Sequence, residues 1–200
     1  MSPSKKMISK DSPGKTMNRI NIRISGSGGQ GIISTGMLLG EAIAIGDGKN
    51  VTQSQSYGPE ARGGATLADV IVSDGEIFFP ECNDLDILLA FTYEAYGKFA
   101  SKTKQDGTVI ADESAVDVIV GDAKTVQIPF IQFSKDKFKT PMVANIIALG
   151  FLSTYAKIVS RHSLRDVVEE QYASTPHLKM NMKALEEGFK LGSKYLKDET

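Results

Sequence analysis

The chain has 200 residues, 41% of them hydrophobic, and a formal net charge of −1, which suits one domain with an ordinary core. Residues 1–19 carry five basic side chains against one acid, whereas the remaining 181 carry 18 basic and 23 acidic ones; so mildly acidic a body gives no reason to expect nucleic-acid binding. The lone Cys82 excludes an intramolecular disulfide and an all-cysteine iron–sulfur site within one chain, and it suits a reducing cytoplasm.

Residues 1–17 lack apolar periodicity and hold Ser, Lys, Pro and Gly. They read as a disordered arm or an expression remnant, and they lack the apolar stretch of a signal peptide. Residues 18–200 read as a single α/β domain. Strand patterns fall at 20–25, 51–54, 65–72, 76–79, 87–91, 108–111 and 126–129, with helical patterns at 32–45, 93–102 and, more weakly, 113–120. That alternation predicts a three-layer α/β sandwich with a mainly parallel sheet and a Rossmann-like first βαβ unit. Ser73-Asp74-Gly75, between the strand patterns 65–72 and 76–79, is a hairpin signal and makes the sheet mixed.

The C-terminal third reads as helical. Thr140-Pro141 and Thr175-Pro176 each offer a cap followed by proline, opening helices over 141–159 and 176–197. Ser163 with Asp166 begins another in capping-box style. Two helices, 32–45 and 142–159, carry more apolar surface than one stripe. Each is a buried core helix, an interface covered by a partner, or both. Polar interruptions and Gly150 argue against a membrane span.

The first strand runs into Gly26-Ser27-Gly28-Gly29-Gln30-Gly31, and Gly26, Gly28 and Gly31 fit the spacing of a dinucleotide-binding turn. Such a turn needs a carboxylate at the end of the second strand for the ribose. Asn50-Val51-Thr52-Gln53-Ser54-Gln55 supplies none, and Asp47 precedes the strand at the wrong sheet edge. What remains is a glycine turn for close strand–helix packing, or an anion held at the helix end.

The second loop, Ser56-Tyr57-Gly58-Pro59-Glu60-Ala61-Arg62-Gly63-Gly64, follows the second strand onto the same carboxyl edge. Arg62 gives a planar charged fork for phosphate or carboxylate, or it pairs with Glu60 or another surface acid. Gly63 and Gly64 permit close backbone approach. Gly46-Asp47-Gly48 shares its start with a thiamine diphosphate motif but ends a helix, so it reads as a C-cap turn. His162 and His177 have no ligand partner at useful spacing, and Cys82 has no base beside it. No full catalytic set and no metal site is assigned.

Three segments in order carry a resemblance: Gly26-Ser27-Gly28-Gly29-Gln30-Gly31 with the small, apolar helix after it, Tyr57-Gly58-Pro59-Glu60-Ala61-Arg62-Gly63-Gly64, and Asn145-Ile146-Ile147-Ala148-Leu149-Gly150. Together they resemble the gamma subunit of 2-oxoacid:ferredoxin (acceptor) oxidoreductases, over residues 18–197. The second loop looks most like the 2-oxoglutarate branch, with the pyruvate and branched-chain branches as rivals. The resemblance implies a complex that oxidatively decarboxylates a 2-oxoacid to an acyl-CoA. Its thiamine diphosphate with Mg and its iron–sulfur clusters would sit on alpha and beta subunits and, where present, a ferredoxin-like delta subunit. Ferredoxin or a similar carrier would accept the electrons, and this chain alone would be inactive. Gly26, Ser27, Gly28, Gly29, Gln30, Gly31, Tyr57, Glu60, Arg62, Gly63, Gly64 and Asn145 then become contacts for coenzyme A phosphates or for a neighbouring subunit, not catalysts. The rival of another class is a free-standing nucleotide-binding oxidoreductase or regulatory module.

Overall fold

In the computed structural model, which describes residues 19–56 and 65–198, side chains alternate along the strands and sort onto two faces of one sheet. Ile22 and Ile24 of β1 (Arg19–Gly26) point to one face, and Asn21, Arg23 and Ser25 to the other. The sheet is completed by β2 (Asn50–Ser56), β3 (Thr66–Ser73), β4 (Leu85–Ala90), β5 (Thr103–Asp112) and β6 (Lys124–Ile128), in the order β2-β3-β1-β4-β5-β6. β1, β4, β5 and β6 are mutually parallel, while β3 runs antiparallel to both β1 and β2. The mixed sheet expected from the sequence is therefore present, with its antiparallel part elsewhere. β2 keeps the direction of β1 but is separated from it by β3, so the first βαβ unit is split. Residues 76–79 form no strand, because both ladder edges of β3 are already taken by β1 and β2. Arg19 instead donates to the carbonyls of Phe79 (2.9 Å) and Glu81 (2.6 Å), fixing that segment below the sheet.

Among the described residues five helices cover the first face: α1 (Ile32–Glu41), α3 (Phe130–Phe138), α4 (Ala144–Ala156), α5 (Arg161–Tyr172) and α6 (Leu178–Asp198). The second face is thinner among the described residues. It carries α2 (Tyr93–Phe99) and the short 3-10 turns Ala100–Lys102 and Glu113–Ala115. The helix expected over 113–120 shrinks to that last turn, whose N–H at Ser114 is taken by Asp112. α3 has no counterpart in the sequence reading. Its first turn is capped from a distance, Ile131 N–H donating to Asp112 Oδ2 at 2.8 Å.

α4 resolves one of the two open questions. Every residue from Ala144 to Thr154 is buried within this chain, so the helix is core and not a partner-covered interface. Its cover is α6, which approaches closely because Gly150, Gly188 and Gly192 line the crossing. α1 is buried along most of its length as well, though Met37 stays exposed, as does Ile45 in the π-helical turn Ala42–Gly46 that extends it.

That turn ends at Asp47, with Gly48 left-handed at φ +67, as a C-cap turn requires. The Asp47 carboxylate accepts from Ser160 N–H at 2.8 Å and from the Ser163 hydroxyl at 2.7 Å, which ties it to the start of α5. Partial burial opposes its charge, yet these hydrogen bonds outweigh burial and hold its pKa below the ordinary carboxylate value. Ser160, three residues before the predicted cap, is the side chain that caps α5, accepting from Ser163 N–H.

On the thin face Cys82 is buried with its Sγ 3.8 Å from the Ile22 carbonyl. Burial, with the Asp69 carboxylate nearby, pushes its thiol up to about 12. An aromatic disulfide at pH 8 should therefore leave Cys82 unmodified in the native protein and titrate one thiol in denaturant; rapid stoichiometric reaction of the folded chain would contradict this burial. Among the described residues no helix is long and apolar enough to cross a membrane.

Candidate functional site: the glycine loop at the carboxyl edge

β1 delivers Gly26 to the carboxyl edge, opposite Thr66 of β3. The turn that follows is held by its own side chain. Gln30 folds back so that its Oε1 accepts from Ser27 N–H at 2.7 Å, while Gln30 N–H reaches the Ser27 carbonyl at 3.3 Å. A Cβ at Gly26 would strike the Gln30 amide and crowd Ile32 and Phe91, so only glycine lets the loop close this tightly. Gly29 (φ 85) and Gly31 (φ 72) take left-handed backbone that other residues adopt at a cost.

Gly31 is the N-cap of α1, and it has no side chain with which to cap. The first turn of α1 carries no acidic residue either, so its N–H groups and dipole end are left to the surroundings. Behind the loop, the Thr35 hydroxyl donates to the Gly31 carbonyl at 2.7 Å and accepts from Asn145 Nδ2 at 3.2 Å. A Cβ at Gly31 would lie 2.5 Å from that same Nδ2. The fold thus brings Asn145, from the start of α4, directly onto the loop 114 positions before it in the chain. Asn145 Oδ1 is buried with no hydrogen-bond partner among the described residues, an acceptor left open beside the turn.

A cavity of about 230 Å³ opens here, lined by Gly29, Gln30, Phe91, Ile131, Lys135, Pro141, Met142, Ala144 and Asn145. Phe91, Lys135 and Met142 were not among the residues expected from the sequence. Phe91 was placed in a strand and Met142 in a helix without a role, and Lys135 belongs to α3, which the sequence reading lacked. Tyr57, Glu60, Arg62, Gly63 and Gly64 lie outside the described residues. The strands that flank them are described: Ser56 pairs with Leu67, and Thr66 with Gly26, so the chain leaves β2 and re-enters β3 at the edge that holds the glycine loop.

No carboxylate stands at the end of β2, and Asp69 on the neighbouring strand is buried in a bidentate pair with Arg23 at 2.7 Å. Among the described residues no group of three or more His, Cys, Asp or Glu side chains could hold a metal ion. The class this defines is a Rossmann-like α/β domain whose loop offers backbone N–H groups beside a cavity that Lys135 of α3 also lines, without the ribose carboxylate of a dehydrogenase. The chain belongs to the pyruvate ferredoxin/flavodoxin oxidoreductase family, whose model matches residues 21–191, and within it to the gamma-subunit type. It is 39% identical over 176 residues to the 2-oxoglutarate synthase subunit KorC of Methanocaldococcus jannaschii, covering 86% of this chain and 94% of that one. The gamma subunit of a keto/oxoacid ferredoxin oxidoreductase from Geobacter sulfurreducens superposes with a TM-score of 0.76 at 36% identity, over 86% of this chain and 95% of that one. The 2-oxoglutarate:ferredoxin oxidoreductase of Magnetococcus marinus, with 2-oxoglutarate, coenzyme A and succinyl-CoA bound, gives 0.77 at 26% identity. There the match covers 88% of this chain but 31% of that one.

Proposed function

We propose that this chain is the gamma subunit of a cytoplasmic 2-oxoglutarate:ferredoxin oxidoreductase, and that its glycine loop forms part of the coenzyme A side of the assembled site. The near full-length likeness to the KorC subunit carries this reading. The geometry of the loop is consistent with it. An uncapped helix end beside Lys135 suits a phosphate, and a cavity of about 230 Å³ adjoins both. Backbone N–H groups at Gly28, Gly29 and Gly31, together with Lys135 and Arg62, would take the anionic part of coenzyme A. Thiamine diphosphate with Mg and the iron–sulfur clusters would be held by alpha and beta subunits and a ferredoxin-like delta subunit, with ferredoxin as acceptor. This chain contributes binding and assembly, and by itself it turns over nothing.

Arg62→Ala tests the site. In the assembled enzyme the variant should raise the apparent constant for coenzyme A roughly 10- to 100-fold, the loss of one charge-assisted contact. The constant for the 2-oxoacid should stay put. An unchanged coenzyme A constant with assembly intact removes Arg62 from the site.

A further inference from the structure

The cavity beside the glycine loop is lined by a polar group that nothing among the described residues satisfies. Asn145 is 6% exposed, and one contact orients its side-chain amide. The Thr35 hydroxyl has a single proton, which it donates to the Gly31 carbonyl at 2.7 Å, so toward Asn145 it acts as an acceptor alone. Asn145 must therefore present Nδ2 to it, at 3.2 Å, and turn Oδ1 the other way. Because Nδ2 also occupies the space where a Cβ on Gly31 would lie, the amide is wedged against the N-cap of α1.

A buried carbonyl oxygen without a donor has forfeited the hydrogen bond it had in water, which is why such atoms are uncommon. Phe91, Ile131, Pro141 and Met142 line the same cavity with side chains that offer no donor. Lys135 lines it as well, but it is exposed and leaves Oδ1 unpaired. The cavity thus makes two opposite demands. At the loop, the uncapped end of α1 and Lys135 favour an anion. At Asn145, a bare acceptor repels an anionic oxygen and calls for a hydrogen-bond donor. A hydroxyl would bring two lone pairs to walls that cannot satisfy them; an N–H brings none.

We propose that Asn145 Oδ1 accepts a hydrogen bond from a neutral N–H of the ligand whose phosphate the loop holds, and that this residue thereby sets the direction in which coenzyme A lies. This rests on the coenzyme A reading above. Coenzyme A carries such donors on both sides of its pyrophosphate, in the adenine amino group and in the two pantetheine amides. Their shared chemistry is an N–H on an uncharged, largely apolar group, which suits the side-chain walls. The phosphate stays at the loop, and the uncharged part enters beside Asn145.

The test is a binding cycle on the enzyme assembled from this chain and its larger subunits, read as dissociation constants by calorimetry without a 2-oxoacid, so that nothing turns over. Three coenzyme A analogues each exchange one donor for an acceptor: inosine in place of adenosine, or an ester oxygen in place of either pantetheine N–H. One of them should bind the wild type roughly 10- to 100-fold more weakly than coenzyme A, and its identity names the end of the ligand that Asn145 reads. Asn145→Leu should bind coenzyme A about tenfold more weakly and no longer tell that analogue from coenzyme A by more than about threefold. A merely structural role for Asn145 would weaken all four ligands alike and leave the discrimination in place, which overturns the contact. Should Asn145→Leu melt early, the wild type decides: one weakened analogue supports the contact, and three that bind like coenzyme A overturn it. In either overturning case the coenzyme A reading stands as long as Arg62→Ala still weakens coenzyme A. A coenzyme A constant indifferent to both Arg62→Ala and Asn145→Leu overturns both.

Discussion

Asp69→Ala should destabilise the protein by about 3–5 kcal/mol, because it strands a buried charge. Arg23 and Asp69 face each other across β1 and β3 and are about nine-tenths buried. Their two hydrogen bonds of 2.7 Å form a planar fork, and Phe99 lies under the guanidinium at 4.7 Å. Burial opposes the Arg23 charge, but the hydrogen bonds and the charge of Asp69 more than compensate, raising its pKa. Arginine cannot shed its proton in response to the lost partner. In the variant its remaining neighbours would be the Phe99 ring and the Cys82 carbonyl, which do not balance a full charge. Replacing both partners, Arg23→Met with Asp69→Leu, should restore stability to within about 1 kcal/mol of the wild type or exceed it. Urea denaturation of the wild type, Asp69→Ala and the double variant checks both halves. A harmless Asp69→Ala would mean that water reaches the guanidinium.

Gly188→Val should cost about 3 kcal/mol or more through the crossing of α4 and α6. A Cβ at Gly188 would fall inside the Ile147 carbonyl and lie 2.9 Å from the Gly150 Cα. A third glycine, Gly192, has no more room, since its Cβ would lie 2.8 Å from that of Thr154. The obstacles at Gly188 are backbone atoms of the opposite helix, which no rotamer change can move. The helices must separate, and α4 loses cover along its length. Gly97 gives the contrast. It is exposed inside α2 with nothing within 4 Å of its Cβ position, so Gly97→Ala should stabilise by about 0.5–1 kcal/mol. Thermal melts with opposite signs at the two positions would establish that the crossing, and not glycine chemistry in general, sets the effect.

These two contacts also show what the sequence made legible and what it did not. The turn at Gly26–Gly31 was readable because spacing and strand–helix context are local properties; Gly26 makes the close approach and Gly31 the left-handed backbone of such a turn, whereas nothing lies within 4 Å of a Cβ at Gly28. The strands fell close to their predicted places for the same reason. Pairing is not local: nothing in residues 66–73 says that they insert between β1 and β2, and so the split βαβ unit and the loss of a strand at 76–79 were invisible. α3 escaped because its start carries no cap of its own. Asp112 caps it from the end of β5, as Asp47 supports the start of α5 from 113 residues away. α4 was ambiguous in the sequence because a helix that is apolar all round looks alike under a partner or under its own fold; the glycines of α6 supply the answer. At the site, Asn145 was found by resemblance, whereas Lys135 and Phe91 became visible once the cavity beside the loop was formed.

The most direct test of the central claim is to purify this chain under native conditions with whatever holds it, then assay coenzyme A-dependent reduction of ferredoxin over a panel of 2-oxoacids. The gamma-subunit account predicts that larger thiamine diphosphate- and iron–sulfur-containing subunits come with it, and that 2-oxoglutarate turns over faster than pyruvate or branched-chain 2-oxoacids. A chain that stays alone and saturably binds NAD(P)H or a flavin would contradict it.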